Sequence, residues 1–433
     1  MSEKITDVFL QLFCEKNSDG TKHLRLKGNE LYQRISYRLT HKDMHRVASF
    51  MKEYVGEIVS LDLSYNDIGD EGMKILAKEF FNEDNNLQHI NLMQCSIKSE
   101  GMKWLVTSEY LKLKSCRVNG NEIGYAGARW IASLIQNCLS LELLDIAETD
   151  QTWESIECIL IVCEQSTLKV LDISKIIPPT YYTKYDPALL ADELAVLLKV
   201  NAILVELHVQ KCAFDGHDID ILVSGLRSSK SLQLLDLGYN RMGDLGVRAI
   251  ARWLRTGPPL RALMLPGNTI RELGARALSF GMPFSKVRYL DLTDNKITDL
   301  GLSIILDKIK KYYQLRYFFI WGNTIGPITC ERMERMLASG VLHQEGIDIK
   351  LYTVDGELHA AYYPTNHYKH KYYSVMDHGC AIELKIKRNK IHHPDSLPRA
   401  LIKFSHIDRY PPVNESLGLK VRKESVCPED EEN

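Results

Sequence analysis

The sequence predicts an α/β solenoid, a horseshoe with parallel strands on its concave face and helices outside, closed by a small C-terminal β-hairpin cap. Three observations predict it. A short apolar pattern recurs ten times along the 433 residues. Its period is near 28 residues, room for one strand and one helix, and such a unit cannot bury its apolar face alone. The two halves of the unit also pack at different spacings. Parallel strands stack about 4.8 Å apart, whereas helices need about 8–10 Å, so the stack must curve with its strands inside.

The pattern is clearest at Val287 to Gly301, VRYLDLTDNKITDLG, where Val287, Leu290, Leu292, Asn295, Ile297 and Gly301 hold the fixed positions. The series opens with Ile58–Leu61–Leu63–Asn66–Ile68, Leu87–Ile90–Leu92–Cys95–Ile97 and Leu113–Cys116–Val118–Asn121–Ile123. Leu141–Leu144–Ile146–Thr149 and Leu168–Leu171–Ile173–Ile176 follow, then Leu204–Leu207–Val209–Cys212–Phe214 and Leu232–Leu235–Leu237–Asn240–Met242. Leu260–Leu263–Leu265–Asn268–Ile270 precedes the Val287 frame, and Leu315–Phe318–Ile320–Asn323–Ile325 closes the series. The recurrent Asn has a mechanism, because its amide both donates and accepts toward backbone groups that lose water between turns. Cys95, Thr149 and Cys212 are weaker substitutes, and Ile176 cannot do this at all. Carboxylates near helix starts, at Asp70, Glu71, Glu272 and Asp299, suit the unpaired N–H groups and positive dipole of a first turn.

Taken in order, residues 1–57 read as an N-terminal cap, with Leu24–Leu26–Asn29 a decayed half-repeat and His41–Tyr54 a covering helix. Residues 58–340 form the solenoid. Its intervals stay between 26 and 29 except for one of 36, which places an insertion at 176–188, IIPPTYYTKYDPA. Inserted residues map to a loop on one face, often the binding face, so Pro178, Pro179, Tyr181, Tyr182 and Tyr185 are candidate contacts. Beyond a last helix at Cys330–Leu337, residues 341–387 read as a hairpin and cap turning at Val354-Asp355-Gly356, with another strand at Cys380–Ile386. Residues 388–433, basic and then Pro-punctuated, read as a flexible or partner-ordered tail.

Composition narrows the function classes. A formal net charge of -2 gives no global drive toward nucleic acid or anionic membrane. The start, MSEKITDVFLQLFCEKNSDG, carries charges within its short apolar run, unlike a secretory signal. No uninterrupted apolar stretch is long enough to span a bilayer. Cys95, Cys116 and Cys212 fall on frame positions, which reads as buried, reduced cysteine rather than a disulfide framework.

Candidate binding residues lie between the framework leucines. The central inner-face position carries Asp62, Arg117, Asp145, Asp172, Asp236 and Asp291, a row that either attracts a basic partner or holds Asp because that position stays solvated. Toward the C-terminal end the face turns aromatic at Tyr289, Tyr317, Phe319 and Trp321, as interface anchors or as the seat of a folded-back hairpin. His367, His370, His378, Cys380, His392 and His393 lack the closed ligand set of a zinc site, so no metal or other cofactor is expected. Phosphate loop, nucleophile elbow and HExxH are all absent from the sequence, which excludes the common catalytic classes. The one enzymatic expectation is assistance to a GTPase through an arginine finger, for which Arg117 is the candidate.

The repeat frames resemble leucine-rich repeats of the ribonuclease-inhibitor-like class. Ribonuclease inhibitor itself is set apart by a strongly acidic, cysteine-richer composition. The strings YFFIWGNTIGPITCERMERMLASGVL, LYTVDGELHAAY and KHKYYSVMDHG resemble the C-terminal region of the leucine-rich repeat-containing protein 34 family. That resemblance implies a non-enzymatic scaffold that binds other proteins, with no small-molecule substrate and no membrane. It implies a structural or adaptor subunit of a motile-cilium axoneme, related to the radial spoke. The alternative it implies is a nucleolar or nuclear regulatory binder of stem or germ cells.

Overall fold

The computed structural model describes residues 5–363 except 17–19, 29–37, 109, 179, 181–184 and 310–314. Its strands form one sheet in strict chain order. They are β1 (Cys14–Lys16), β2 (Lys22–Arg25), β3 (Ile58–Asp62), β4 (His89–Asn91), β5 (Ser115–Arg117) and β6 (Leu143–Asp145). The sheet continues through β7 (Val170–Asp172), β8 (Glu206–His208), β9 (Leu234–Asp236), β10 (Ala262–Met264), β11 (Tyr289–Asp291) and β12 (Tyr317–Phe319). From β2 onward every pairing is parallel, and each is one rung per repeat. The second leucine position is the middle residue of each rung from β4 onward, so Ile90, Cys116, Leu144, Leu171, Leu207, Leu235, Leu263, Leu290 and Phe318 stack in one buried row. Full burial of such a side chain contributes about 1.5–3 kcal/mol.

The Asn ladder works as the frames predict. Asn295 Nδ2 donates to Leu265 O at 2.9 Å and Leu292 O at 3.0 Å, while its Oδ1 accepts from Asn268 N and Ile270 N. Asn66, Asn121 and Asn240 repeat the arrangement, each tying its own turn to the one before. Cys95 substitutes with a thiol that donates to Leu63 O at 3.0 Å. Ile176 instead offers its carbonyl to Gln151 N, leaving that rung without an amide.

Of the helix-start carboxylates, Glu71 and Glu272 stand in the first turns of their own helices, as the sequence predicts, whereas Asp70 and Asp299 cap the next helix instead. Asp70 Oδ1 accepts from Lys98 N and Gly101 N, and Asp244 Oδ1 from Arg271 N and Gly274 N. Asp299 takes Gly326 N, Ile328 N and Thr329 N, and although burial opposes it, these donors hold its carboxyl below the usual range. Adjacent helices lie close enough for one side chain to bridge them. A Cβ at Gly101 would sit 2.5 Å from Asp70 Oδ1, so only glycine admits that bridge.

The sheet extends past the ten frames at its N-terminal end. Leu24 and Leu26 are buried, β2 adds a parallel rung, and antiparallel β1 closes the edge. A helix at Met44–Glu53 buries Val47, Ala48, Phe50 and Met51. At the other end, the helix Pro327–Ala338 leads to the hairpin β13 (Ile349–Val354) and β14 (Glu357–Tyr362). Its turn residues Asp355 and Gly356 have φ of 51° and 85°, the positive pair that a primed hairpin turn requires. Ile347 bridges Phe318, and Asp348 accepts Ile320 N and Trp321 N, both at 2.9 Å. In the preceding repeat the equivalent donor, Leu292 N, reaches the carbonyl of the next rung, Phe319 O. Asp348 stands in for the rung that β12 lacks.

Within the insertion, Pro178 is half-buried and Tyr185 donates its hydroxyl to Cys212 O at 2.8 Å, fastening the loop to the following turn. Pro179, Tyr181 and Tyr182 lie outside the described residues, as do the strand read at Cys380–Ile386, the histidines from His367 to His393 and the tail 388–433. Among the described residues no helix is long and apolar enough to cross a membrane, and no three His, Cys, Asp or Glu side chains are grouped to hold a metal.

Candidate binding face

Residues flanking the buried middle of each rung point away from the helices, because strand side chains alternate. Register then sorts them into two rows across the inner face. The first runs His23, Ser60, His89, Ser115, Leu143, Val170, Glu206, Leu234, Ala262, Tyr289, Tyr317. The second runs Arg25, Asp62, Asn91, Arg117, Asp145, Asp172, His208, Asp236, Met264, Asp291, Phe319. The face is polar at its start, acidic in the middle and aromatic at its end.

The acidic row has a structural cause that solvation does not supply. Asp62, Asp145, Asp172, Asp236 and Asp291 each accept the N–H two residues on, from Ser64, Ala147, Ser174, Gly238 and Thr293 at 2.8–3.2 Å. Asn91 does the same for Met93. These are Asx turns that swing the chain out of each strand. The expectation that Asp is there because it stays solvated fails, since Asp145, Asp236 and Asp291 are buried and only Asp62 and Asp172 are half-buried.

Charge concentrates where β6 to β9 meet. His208 Nδ1 lies 3.3 Å from Asp236 Oδ2, and its Nε2 lies 3.7 Å from Glu206 Oε2. Burial disfavours the imidazolium, but the hydrogen bond to Asp236, the ion pair with Glu206 and the Asp172 charge outweigh it, and the ring's pKa rises to about 10. His208 is therefore a cation at neutral pH. Burial and the neighbouring Asp172 charge push Asp145 well up against the pull of Arg117. Burial likewise raises Asp172, opposed by His208 and Ser174. Four carboxylates, Asp145, Asp172, Glu206 and Asp236, thus face the two cations Arg117 and His208.

Arg117 is 1% exposed, beside Asp145 in the register. An arginine finger must deliver its guanidinium to a nucleotide on another protein, and a buried one cannot. The GTPase expectation is dropped on that ground.

The aromatic end is largely covered. Tyr289 and Phe319 are buried edge-to-face at 5.3 Å, and half-buried Tyr317 lies 5.6 Å from Tyr289. Trp321, at 36% exposed, stacks on Tyr362 of the hairpin at 5.5 Å. Reading only the central position of each frame missed Glu206, the pairs His23–Ser60 and His89–Ser115, and Asp348. The first five were findable two residues upstream of the central position; Asp348 follows the last frame and carries no local signal.

A family model described as a leucine-rich repeat matches residues 58–77, 228–251 and 285–305. Ribonuclease inhibitor of Sus scrofa is 26% identical over 70% of this chain and 65% of its own length. Protein CARMIL of Dictyostelium discoideum is 27% identical over 52% of this chain, but that covers only 22% of CARMIL. Leucine-rich repeat-containing protein 34 of Mus musculus is 26% identical over 42% of this chain and 44% of its own length. The chain thus spans just under two thirds of the inhibitor and far less of the other two. The repeats indicate a protein–protein interaction scaffold, and their fold is generally non-enzymatic.

Proposed function

We propose that this chain, a leucine-rich repeat protein of the ribonuclease-inhibitor-like type, is an adaptor that takes a partner protein along its inner face. One observation carries the reading. The two inner-face rows change from polar through acidic to aromatic in register over consecutive rungs. A graded face of this kind fixes the orientation of an extended partner, because apolar anchors supply affinity and charge supplies register.

We further place it in the cytoplasm and cilium or flagellum, as a structural subunit of an axonemal, radial-spoke-related assembly. Support for this comes from the likeness to leucine-rich repeat-containing protein 34. A nuclear or nucleolar regulatory binder is the alternative, favoured by the acidic cluster at β6 to β9, which suits a basic partner. Fractionation of a ciliated tissue by detergent and then high salt tests the choice. Retention in the axonemal pellet is expected; release into the soluble or nuclear fraction would reject the ciliary reading and leave the regulatory one.

A further inference from the structure

The inner face carries a second apolar core to which no described helix contributes. Leu234, Ala262, Met264, Tyr289 and Phe319 are all buried together, with Tyr317 packed against them, and every one comes from a strand. The main core lies on the other side of the sheet, against the helices. Side chains standing on one face of a single sheet lose their water only under a covering layer. Left bare, such a patch is an association hazard. Beside it stands the acidic cluster, where Asp145 is 1% exposed and its Oδ2 has no hydrogen-bond partner among the described residues. Whatever covers this face must therefore present aliphatic side chains to β9–β12 and cations to β6–β8.

We propose that the occupant is the chain's own segment Ala381–Lys390, AIELKIKRNK, docked in cis along the inner face. Its residues Ile382, Leu384 and Ile386 alternate with Glu383, Lys385 and Lys387, which in an extended strand puts the aliphatic side chains on one side. Arg388 and Lys390 follow on that same side, so along the docking side the cations come after the aliphatic stretch. The order along the chain matches the order along the face. The described chain ends at Tyr363, hydrogen-bonded through its N–H to Asp348 O and next to Tyr362, which stacks on Trp321 at the β12 end. A chain leaving there meets the apolar core first and the acidic cluster after it. Reach is ample. From β12 to β8 is four rungs, about 19 Å at about 4.8 Å each, whereas residues 364–380 can extend up to about 55 Å. A partner for the inner face must then displace the segment, which makes it a built-in competitor. This consequence rests on the adaptor reading above; the docking itself does not.

Hydrogen–deuterium exchange on the full chain tests the docking. Amides of residues 381–390 should exchange at least tenfold more slowly than in a free peptide of the same sequence. The variant Lys385→Glu, Lys387→Glu, Arg388→Glu, Lys390→Glu should lose that protection by tenfold or more. Exchange at the free-peptide rate in the wild type would overturn the proposal, and so would protection that the charge reversal leaves intact. Zero-length cross-linking of a mixture of 15N-labelled and unlabelled chains separates the last rival. Links from Lys390, on the aliphatic side of the strand, to the acidic cluster must carry a single isotope label, and mixed-label links would mean that a second copy occupies the face. None of these readouts involves a partner, so their failure leaves the adaptor reading standing, and failure of the fractionation leaves the docking standing.

Discussion

Asp348→Ala removes the side chain that closes the open end of the sheet. Asp348 is fully buried and accepts Ile320 N and Trp321 N, each at 2.9 Å. Deleting the carboxylate strands two N–H groups, and an unsatisfied buried donor costs about 1–3 kcal/mol, so the loss is about 2–6 kcal/mol. In a solenoid the damage stays near the affected rung, and a global melting curve would dilute it. Native-state amide exchange is therefore the assay. At about 1.4 kcal/mol per tenfold, Ile320 and Trp321 should exchange about 30-fold faster or more. Asp348→Asn should recover only part of this, because its amide oxygen accepts one N–H while its NH2 group confronts the other. The same residue sets a pH dependence. Burial raises its carboxyl from 3.8 to about 7, against the two N–H donors. The folded state then holds the proton more tightly than the unfolded one. The contribution is complete below pH 3.8 and is lost as pH rises through about 7, with an upper limit of about 4 kcal/mol at about 1.4 kcal/mol per pH unit. The C-terminal rung should open more readily at pH 8 than at pH 5, and less steeply so in Asp348→Ala. Unchanged exchange at Ile320 and Trp321 in a folded Asp348→Ala protein would refute the reasoning.

Leu292→Ala opens a cavity beneath β11 in the continuous core and should cost about 2–5 kcal/mol by chemical denaturation; an unaltered midpoint would contradict the repeat register. Asn295→Ala leaves Leu265 O, Leu292 O, Asn268 N and Ile270 N without their shared partner. Exchange at Ile270 should accelerate by at least tenfold, while Asn66, eight repeats away, reports no change. His208 carries a pKa of about 10 against an ordinary 6.5, so its stabilisation is complete below pH 6.5 and is lost as pH rises through about 10. His208→Gln should flatten the alkaline part of the stability profile, measured by denaturation at pH 7 and pH 10; an unchanged slope would mean that the ring is neutral.

The fold was legible because its signal is redundant. Ten copies of one frame locate the strands, and substitution of Asn by Cys at 95 or Thr at 149 does not disturb the phase. The hairpin was legible for a local reason, since Asp355-Gly356 is a turn signature in itself. Legibility ended wherever a residue's role depends on the neighbouring repeat. Asp70 and Asp299 look like caps for their own helices, and only the packed structure turns them toward the next one. Asp348 follows no frame, yet it completes the hydrogen bonding of a rung that ended 29 residues earlier at Phe319. Glu206 is not singled out by the frame, because the equivalent position holds Ser, His, Leu, Val, Ala or Tyr in the other repeats.

The acidic row shows how a structural device and a functional feature share one residue type. Every Asp in it gives one oxygen to the N–H two residues on, and that bond belongs to the turn. A row of Asp therefore says little about a partner. What exceeds the needs of the turn is the second oxygen and whatever charge the neighbouring row adds. At Asp291 the Thr293 hydroxyl donates to Oδ1, the oxygen that already accepts Thr293 N, so this contact keeps within the turn. At Asp236 the second oxygen faces His208 and Gln210, and the first row adds Glu206. Only there do carboxylates outnumber what turns require, in a place where burial makes each charge count more. Specificity for a basic group, from the chain's own tail or from a partner, should accordingly map to Glu206, which no turn explains, and to the second oxygen of Asp145, which its turn does not use, rather than to the row as a whole. Neutralising Asp62, which serves its turn at the polar end, should leave such recognition unchanged, whereas Glu206→Gln should weaken it.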